Sequence, residues 1–496
     1  MEREPLSVVD TAWLRMDRPT NLMMICGMMT FADRLELQQV RETIRTRMLC
    51  FHRFRQRIVE SEGNAYWEAD PNFDLGWHVR HIALPYSADG TGLEEVVSDL
   101  VSTPLDSTKP MWQFHLIDDQ AGGSAIVLRI HHCYGDGFAL MHVLSSMTDA
   151  DPDRPQPPAE DVGVHDGRRS AWERMLGPVT EAAGDAVRSL LGVIETGRDL
   201  LVQPSRAIEC GKTGIELAYE AAFIAGMTPD SHTRFKGPLG VMKRAAWSQP
   251  LSLFEVKALS EALGCSVNDV LISCVSGALR GYLQEQGDPV DDVEIRALVP
   301  VNLRPPGPMT DLGNHFGLVF LSLPIGVKHP LERLYEVKRR MDALKHSQQP
   351  LVALGILSGM GLMPLMIKEK ILETLASNAS AVITNVRGAS GPRYFAGKRI
   401  VRQIFWVPQS GGIGMGISIL SYDGKIDFGV VTDVRRVPDP ELIVRRFGVE
   451  FESLLLGSLL MPWPGETVPD AGEDWGEPWP NRMTTPNSLT AGISPT

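Results

Sequence analysis

The stretch IVLRIHHCYGDGFAL, residues 126 to 140, carries three side chains able to do chemistry: His131, His132 and Asp136. A neutral imidazole can take a proton from an alcohol, amine or thiol near neutral pH. Adjacent residues on an extended chain point to opposite faces, so one histidine can reach a cleft while the other packs. That geometry weakens a metal reading, which needs converging ligands and usually a third donor. His115 could join such a site, but its spacing does not demand it. Asp136 lies between Gly135 and Gly137, whose backbone freedom lets the carboxylate fold back to orient a ring or meet an arginine. On composition alone a catalytic base, a metal ligand and a structural turn around a satisfied histidine all remain open.

The elements that must hold these residues can be read from periodicity. MWQFHLID (111–118) and SAIVLRI (124–130) form a predicted hairpin around DQAGG, delivering its second strand into His131 and His132. FALMHVLSSM beyond the turn reads as a helix, so the histidines sit at a strand-to-loop junction on a rigid scaffold. Upstream, NLMMICGMMTF (21–31) reads as a buried strand and RLELQQVRETIRTRMLCF (34–51) as an amphipathic helix. Met23, Met24, Met28 and Met29 give that strand an adaptable apolar surface, suited to a core or a tunnel wall. Downstream, helices are expected over 252–264 and 266–286, with Ser266 or Asn268 as the cap of the second. Strands follow at VEIRALVPVNL, GLVFLSLPI, SAVITNVRG and RIVRQIFWVP, then a hairpin turning at Asp423-Gly424. ELIVRRFGVEFESLLLG makes a closing helix.

At 496 residues the chain is too long for one ordinary core. The pattern divides it into an N-terminal unit (1–160), a helical crossover (161–232), a second mixed unit (233–460) and a polar, Pro-rich tail (461–496) expected to be disordered. The fold class is α/β with mixed sheets. A net charge of -13 argues against nucleic acid as the main partner, while leaving room for a local basic pocket and an anionic substrate. Cys26, Cys50, Cys133, Cys210, Cys265 and Cys274 are scattered without a CxxC pair and read as reduced thiols of a cytoplasmic protein. The N-terminus lacks an apolar signal core. The longest uncharged run, LVALGILSGMGLMPLMI (351–367), is too short for a spanning helix and contains Gly and Pro.

His131-His132-Cys133-Tyr134-Gly135-Asp136-Gly137 is an HHxxxDG motif. It resembles the signature of CoA-dependent acyltransferases of the chloramphenicol acetyltransferase-like superfamily, which includes peptide-synthetase condensation domains. PLSVVDTAWLRMDRPTNLMMICGMM, PLDSTKPMWQFHLI, VNDVLISCVSGALRGYL, VPVNLRP, GNHFGLVFLSLP and SYDGKIDFG narrow the resemblance to the bacterial wax ester synthase/diacylglycerol acyltransferase family. Their order covers nearly the whole chain to about residue 458.

The resemblance implies two chloramphenicol acetyltransferase-like domains with the motif in a channel between them. It implies acyl transfer from a long-chain acyl-CoA to diacylglycerol or a fatty alcohol, with acyl-CoA as substrate and neither cofactor nor metal required. His132 would be the general base, His131 supporting, and Asp136 structural through an ionic contact. Pro110 and Trp112 match the family's PLW element, with Met111 in place of Leu, and would shape the site. Asn268-Asp269 matches its ND element; Asn268 near a helix N-terminus could donate to an oxyanion, or simply cap. Gly137 and Asp269 complete the expected substrate contacts, and Lys243, Arg244 and Arg304 are candidates for the CoA phosphates. The family's association with the inner membrane and lipid inclusions implies peripheral attachment. Departures occur at Cys133, where Ala is usual, at Gly135, where Val is usual, and in ITNVRGASGP, where Arg387 replaces Pro. Rival readings are an acyltransferase for a specialised hydroxylated lipid and a non-catalytic lipid-binding protein.

Overall fold

A computed structural model of the chain describes residues 3–84, 92–118, 122–154, 226–304, 312–345, 347–354, 377–409 and 412–460. Most of the expected crossover, most of the apolar run at 351–367, Cys210 and the tail from 461 lie outside the described residues.

In chain order the elements are β1 Arg3–Pro5, α1 Val8–Met16, β2 Met24–Phe31, α2 Leu37–Thr43, β3 Gln56–Ser61, β4 Asn64–Ala69, α3 Leu75–His78, β5 Val79–Ile82, α4 Gly92–Ser102, β6 Trp112–Asp118, β7 Ser124–His131 and α5 Gly137–Ser146. The second half supplies β8 Lys243–Trp247, β9 Leu251–Ser252, α6 Leu253–Ala262, α7 Val267–Glu285, β10 Ile295–Asn302, β11 Phe316–Leu323, α8 Pro330–Lys345, β12 Ala381–Arg387, β13 Tyr394–Phe395, β14 Lys398–Trp406, β15 Met415–Tyr422, β16 Lys425–Asp433 and α9 Pro440–Leu459.

Two mixed sheets organise the molecule, as the fold class requires. The first runs β13-β14-β2-β7-β6-β5, and the second β11-β10-β12-β15-β16-β8 with β9 also on β16. A small sheet, β1-β4-β3, covers part of the first half. The hairpin around Asp423-Gly424 is present, both residues having positive φ (45° and 74°), the twist that a tight antiparallel turn needs.

β14 departs from a simple two-unit partition of the sequence. It belongs to the second half of the chain yet pairs antiparallel with β2 in the first sheet, Ile404 opposite Met28 and Trp406 opposite Cys26. β15 then returns to the second sheet beside β12. On the other side, Ser98 and Ser102 of α4 accept the backbone N–H groups of Ala245 and Lys243 at 3.1 and 2.8 Å. The two sheets are thus tied together by exchanged elements.

Alternation along β2 explains where its methionines go. Met24, Cys26 and Met28 join a core between the sheets with Trp406, Ala245 and Val431. Ile25, Met29 and Phe31 face the first-half core, and Met23 packs with Trp13 and Phe316. In the second half α7 is buried from Asp269 to Leu283, flanked by α6, α8 and α9 against the second sheet. Among the described residues no single helix is long and apolar enough to cross a membrane; α6 and α7 together would suffice, but they bend by 100°.

Candidate active site

β7 ends at His131, and a single tight helical turn from His132 to Tyr134 carries the chain toward α5. The backbone N–H of His131 donates to Met111 (3.0 Å) and that of His132 to Met23 (2.8 Å), fixing both residues to neighbouring segments. Gly135 then has φ 157°, and a Cβ there would stand 2.4 Å from the Leu312 carbonyl oxygen. Only glycine lets the turn approach that second-half segment so closely. At Gly137 a Cβ would meet nothing within 4 Å, so the start of α5 is open.

The two histidines have different surroundings. Nδ1 of His131 accepts the Cys133 backbone N–H at 3.2 Å and lies 3.0 Å from its Sγ. Burial, reinforced by His132, pushes the His131 imidazole down to about 3. His132 stacks on Trp13 of α1, ring centres 4.2 Å apart and planes 15° from parallel, with Phe316 at 5.7 Å. Burial lowers its pKa to about 4, opposed by the Asp136 carboxylate, its own carbonyl and the Asn314 side chain. At neutral pH both rings are uncharged, so a lone pair is available. Nδ1 of His132 is buried without a hydrogen-bond partner. Cys133 is packed, and burial drives its thiol far up, away from thiolate chemistry.

Asp136 has three separate partners. Its Oδ1 caps α5 through the Ala139 N–H (3.0 Å), while Oδ2 accepts from Arg304 Nη1 (2.5 Å) and the His315 N–H (2.9 Å). Arg304 also donates to the Gly313 carbonyl. Next in sequence, Asn314 Nδ2 donates both to the His132 carbonyl (2.9 Å) and to Asp10 Oδ1 (2.7 Å). The segment from Leu312 to Phe316 therefore clamps the histidine turn from the opposite half of the chain.

Several expected binding residues have other work. Arg304 is committed to Asp136 and Gly313, so it is not a free phosphate ligand. Lys243 is buried with its ammonium donating to Thr20 and Gly240 carbonyls and to Asp433 Oδ2 (2.8, 3.1 and 2.6 Å); it too is removed from the phosphate candidates. Arg244 is half-exposed and pairs with Glu441 at 3.1 Å. Trp112 is fully buried, its indole N–H donating to the Phe54 carbonyl (2.8 Å) and its ring stacked on His78, and Pro110 is buried beside it. Ser266, not Asn268, caps α7, and Asp269 completes a reciprocal capping box with it. Asp269 is buried in that role. Asn268 Oδ1 accepts from Asn385 Nδ2 on β12, leaving its own amide N–H groups as donors.

Trp13 and Asn314 were not singled out by sequence reasoning. Ser7 caps α1 by accepting the Asp10 N–H, an S-x-x-D signature that could have revealed the helix. Nothing local signals where its tryptophan lands. Between the sheets a small cleft is lined by Leu22, Met24, Cys26, Val101, Trp406 and Val431 with the polar Lys243 and Gln409; Met24 is the register partner of His131. Among the described residues no cluster of three or more His, Cys, Asp or Glu could hold a metal.

Comparison with known proteins places this arrangement. Residues 6–271 match the wax ester synthase/diacylglycerol acyltransferase catalytic domain, and 312–455 the C-terminal domain of the same family. Among curated relatives, "Putative diacyglycerol O-acyltransferase Rv3740c" of Mycobacterium tuberculosis is 28% identical over 436 residues, 84% of this chain and 91% of that protein. The wax ester synthase/diacylglycerol acyltransferase from Marinobacter aquaeolei VT8 has a similar fold, with TM-score 0.66 and 21% identity over 92% of this chain and all of that one. The first condensation domain of the CDA synthetase also shares the fold (TM-score 0.58, 14% identity, covering 94% and 98%). So does a variant of the starter condensation domain of rhizomide synthetase in complex with C8-CoA (TM-score 0.52, 13% identity, covering 93% and 96%). The chain belongs to the wax ester synthase/diacylglycerol acyltransferase family of acyltransferases.

Proposed function

We propose that this acyltransferase moves a long-chain acyl group from acyl-CoA to the hydroxyl of a diacylglycerol or a fatty alcohol, with His132 as the base. The observation that carries the reading is a neutral, buried His132 stacked on Trp13 and close to Phe316, where the two sheets meet. Because Nδ1 is sealed, Nε2 is the nitrogen left to meet the acceptor hydroxyl. Nε2 takes the hydroxyl proton as the oxygen attacks the thioester carbonyl. The tetrahedral intermediate collapses, the C–S bond breaks, and the CoA thiolate recovers that proton from His132. Ester and free CoA result, with no covalent acyl-enzyme.

Asn268 is the candidate oxyanion donor, its amide N–H groups being available at the start of α7. The open space over Gly137 suits close approach of the thioester arm. The relatives named diacylglycerol O-acyltransferases and the fold-mate bound to C8-CoA favour these substrate classes. Both acceptors partition into lipid, so the enzyme meets them at a membrane or inclusion surface.

The test is CoA-thiol release from palmitoyl-CoA, with hexadecanol or dipalmitoylglycerol as acceptor, in native protein and His132→Ala. Acceptor-dependent release that falls by ~10²–10⁴-fold in the variant is expected of a general base. Release that persists in the variant would remove His132 from that role. Lipid association without release from either acceptor would favour a binding protein.

A further inference from the structure

The wiring behind His132 has a direction. A backbone carbonyl can only accept, so the Asn314 group that meets the His132 carbonyl must be its NH2, and the same NH2 serves the Asp10 carboxylate. That fixes Oδ1 of Asn314 as the amide's free end, and it is buried without a partner. Nδ1 of His132 is also buried without a partner. One atom is an acceptor and the other can carry a proton, and their residues are already bonded to each other. Two orphaned buried groups of complementary type, left apart, each carry a desolvation penalty.

We propose that Asn314 is the positioning residue of His132: anchored by Asp10, it accepts the Nδ1 proton, so that the Nε2 lone pair is held toward the acceptor hydroxyl. This rests on His132 being the base. Asp10 acts through Asn314 and touches no reacting atom. Such a contact would raise the basicity of a ring that burial otherwise depresses. Tautomer control of this kind matters because an imidazole with the proton on the wrong nitrogen cannot act as base there.

The charged neighbours are limited. His132 is faced by Asp136 at the start of α5 and by His131 at the end of β7, with Asp10 of α1 behind Asn314. Asp10 in turn feels His315 and Arg53, and lies near the buried Cys133 thiol.

The experiment compares full-length native protein, Asn314→Ala, and the exchange Asp10→Asn with Asn314→Asp, measuring kcat and KM for palmitoyl-CoA across pH. Asn314→Ala should lower kcat by ~10²-fold or more with little change in KM, as expected when a catalytic group loses its orientation. The exchange puts a carboxylate directly behind the ring. It should recover part of kcat and move the acid limb of the rate profile to higher pH, because an adjacent anion favours imidazolium. Packing alone would not move that limb. Native kcat in Asn314→Ala, or an unmoved limb in the exchange variant, overturns the proposal while inactive His132→Ala keeps the base assignment intact. Should the variants fail to fold, ¹⁵N-histidine spectra of the native protein decide. A protonated Nδ1 at His132, assigned by its loss in His132→Ala, supports the proposal, and a protonated Nε2 overturns it.

Discussion

The turn from His131 to Gly137 and the start of α7 both carry family motif residues, and both sit beside a buried element. They are held in opposite ways. At α7 the bonds are local: Ser266 and Asp269, three residues apart, satisfy each other's backbone N–H groups. At the histidine turn the decisive bonds cross between halves of the chain, Arg304 to Asp136 over 168 positions and Asn314 to His132 over 182. A local motif builds a helix terminus by itself. The histidine turn, which carries the proposed base, is braced from a separate element, so its geometry exists only when both halves are assembled.

The largest effect is expected from breaking the long-range brace. Arg304→Met would leave the Asp136 carboxylate, 3% exposed, with no cation. Losing one partner of a buried ion pair costs about 3–5 kcal/mol. The Ala139 and His315 N–H groups still donate to Asp136, which places this variant near the lower figure. Urea unfolding should show the loss, and kcat should fall with it. A melt close to native would mean that the inter-half clamp contributes little.

Acid pH tests the same region through its histidines. His115, His131 and His132 have folded pKa values of about 4, 3 and 4, below the ordinary 6.5, because burial disfavours their charged forms. Between pH 6.5 and about 4 the unfolded chain therefore binds more protons than the folded one, and stability must fall as pH falls. Each histidine contributes ~1.4 kcal/mol per pH unit in that window, so the three together give a slope of about 4. Asp10, Asp17, Asp427 and Glu450, whose pKa values burial raises, oppose this, while His78 and His142, which burial lowers, add to it. Unfolding measured from pH 7 to 4 should show the slope, and His132→Gln should lower it by one share. An unchanged slope in that variant would mean His132 is not desolvated.

The contrast between the two regions also explains what was legible in the sequence. β2, the β6–β7 hairpin, α5, α7 and the Asp423-Gly424 turn follow from periodicity and turn chemistry, which act over a few residues. The identity of the histidine turn was carried by its motif. Long-range partners were not legible: Arg304 in VPVNLRP looks the same whether it meets a phosphate or Asp136, and Lys243 gave no sign of Asp433. β14 reads correctly as a strand, yet nothing in its alternation says that it pairs with β2 rather than with a strand of its own half. Trp13 has no local signature for stacking on an imidazole more than a hundred positions away. Pairing between distant segments is decided by shape and polarity that only the assembled fold supplies.

The smallest effect should come from the local motif. Ser266→Ala removes the acceptor for the Asp269 N–H and should cost ~1 kcal/mol, the usual value of a lost N-cap. The Asp269 carboxylate still accepts the backbone N–H of residue 266, and α7 remains buried from Asp269 onward, so the helix keeps its start. Asn268 stays tied to Asn385 on β12 through a bond that does not involve Ser266. Stability should therefore drop slightly while kcat remains close to native, whereas Arg304→Met lowers both. A kcat loss well beyond what the melt accounts for would show that the cap itself aims Asn268. The start of α7 would then belong, like the histidine turn, to the machinery that must be held in place.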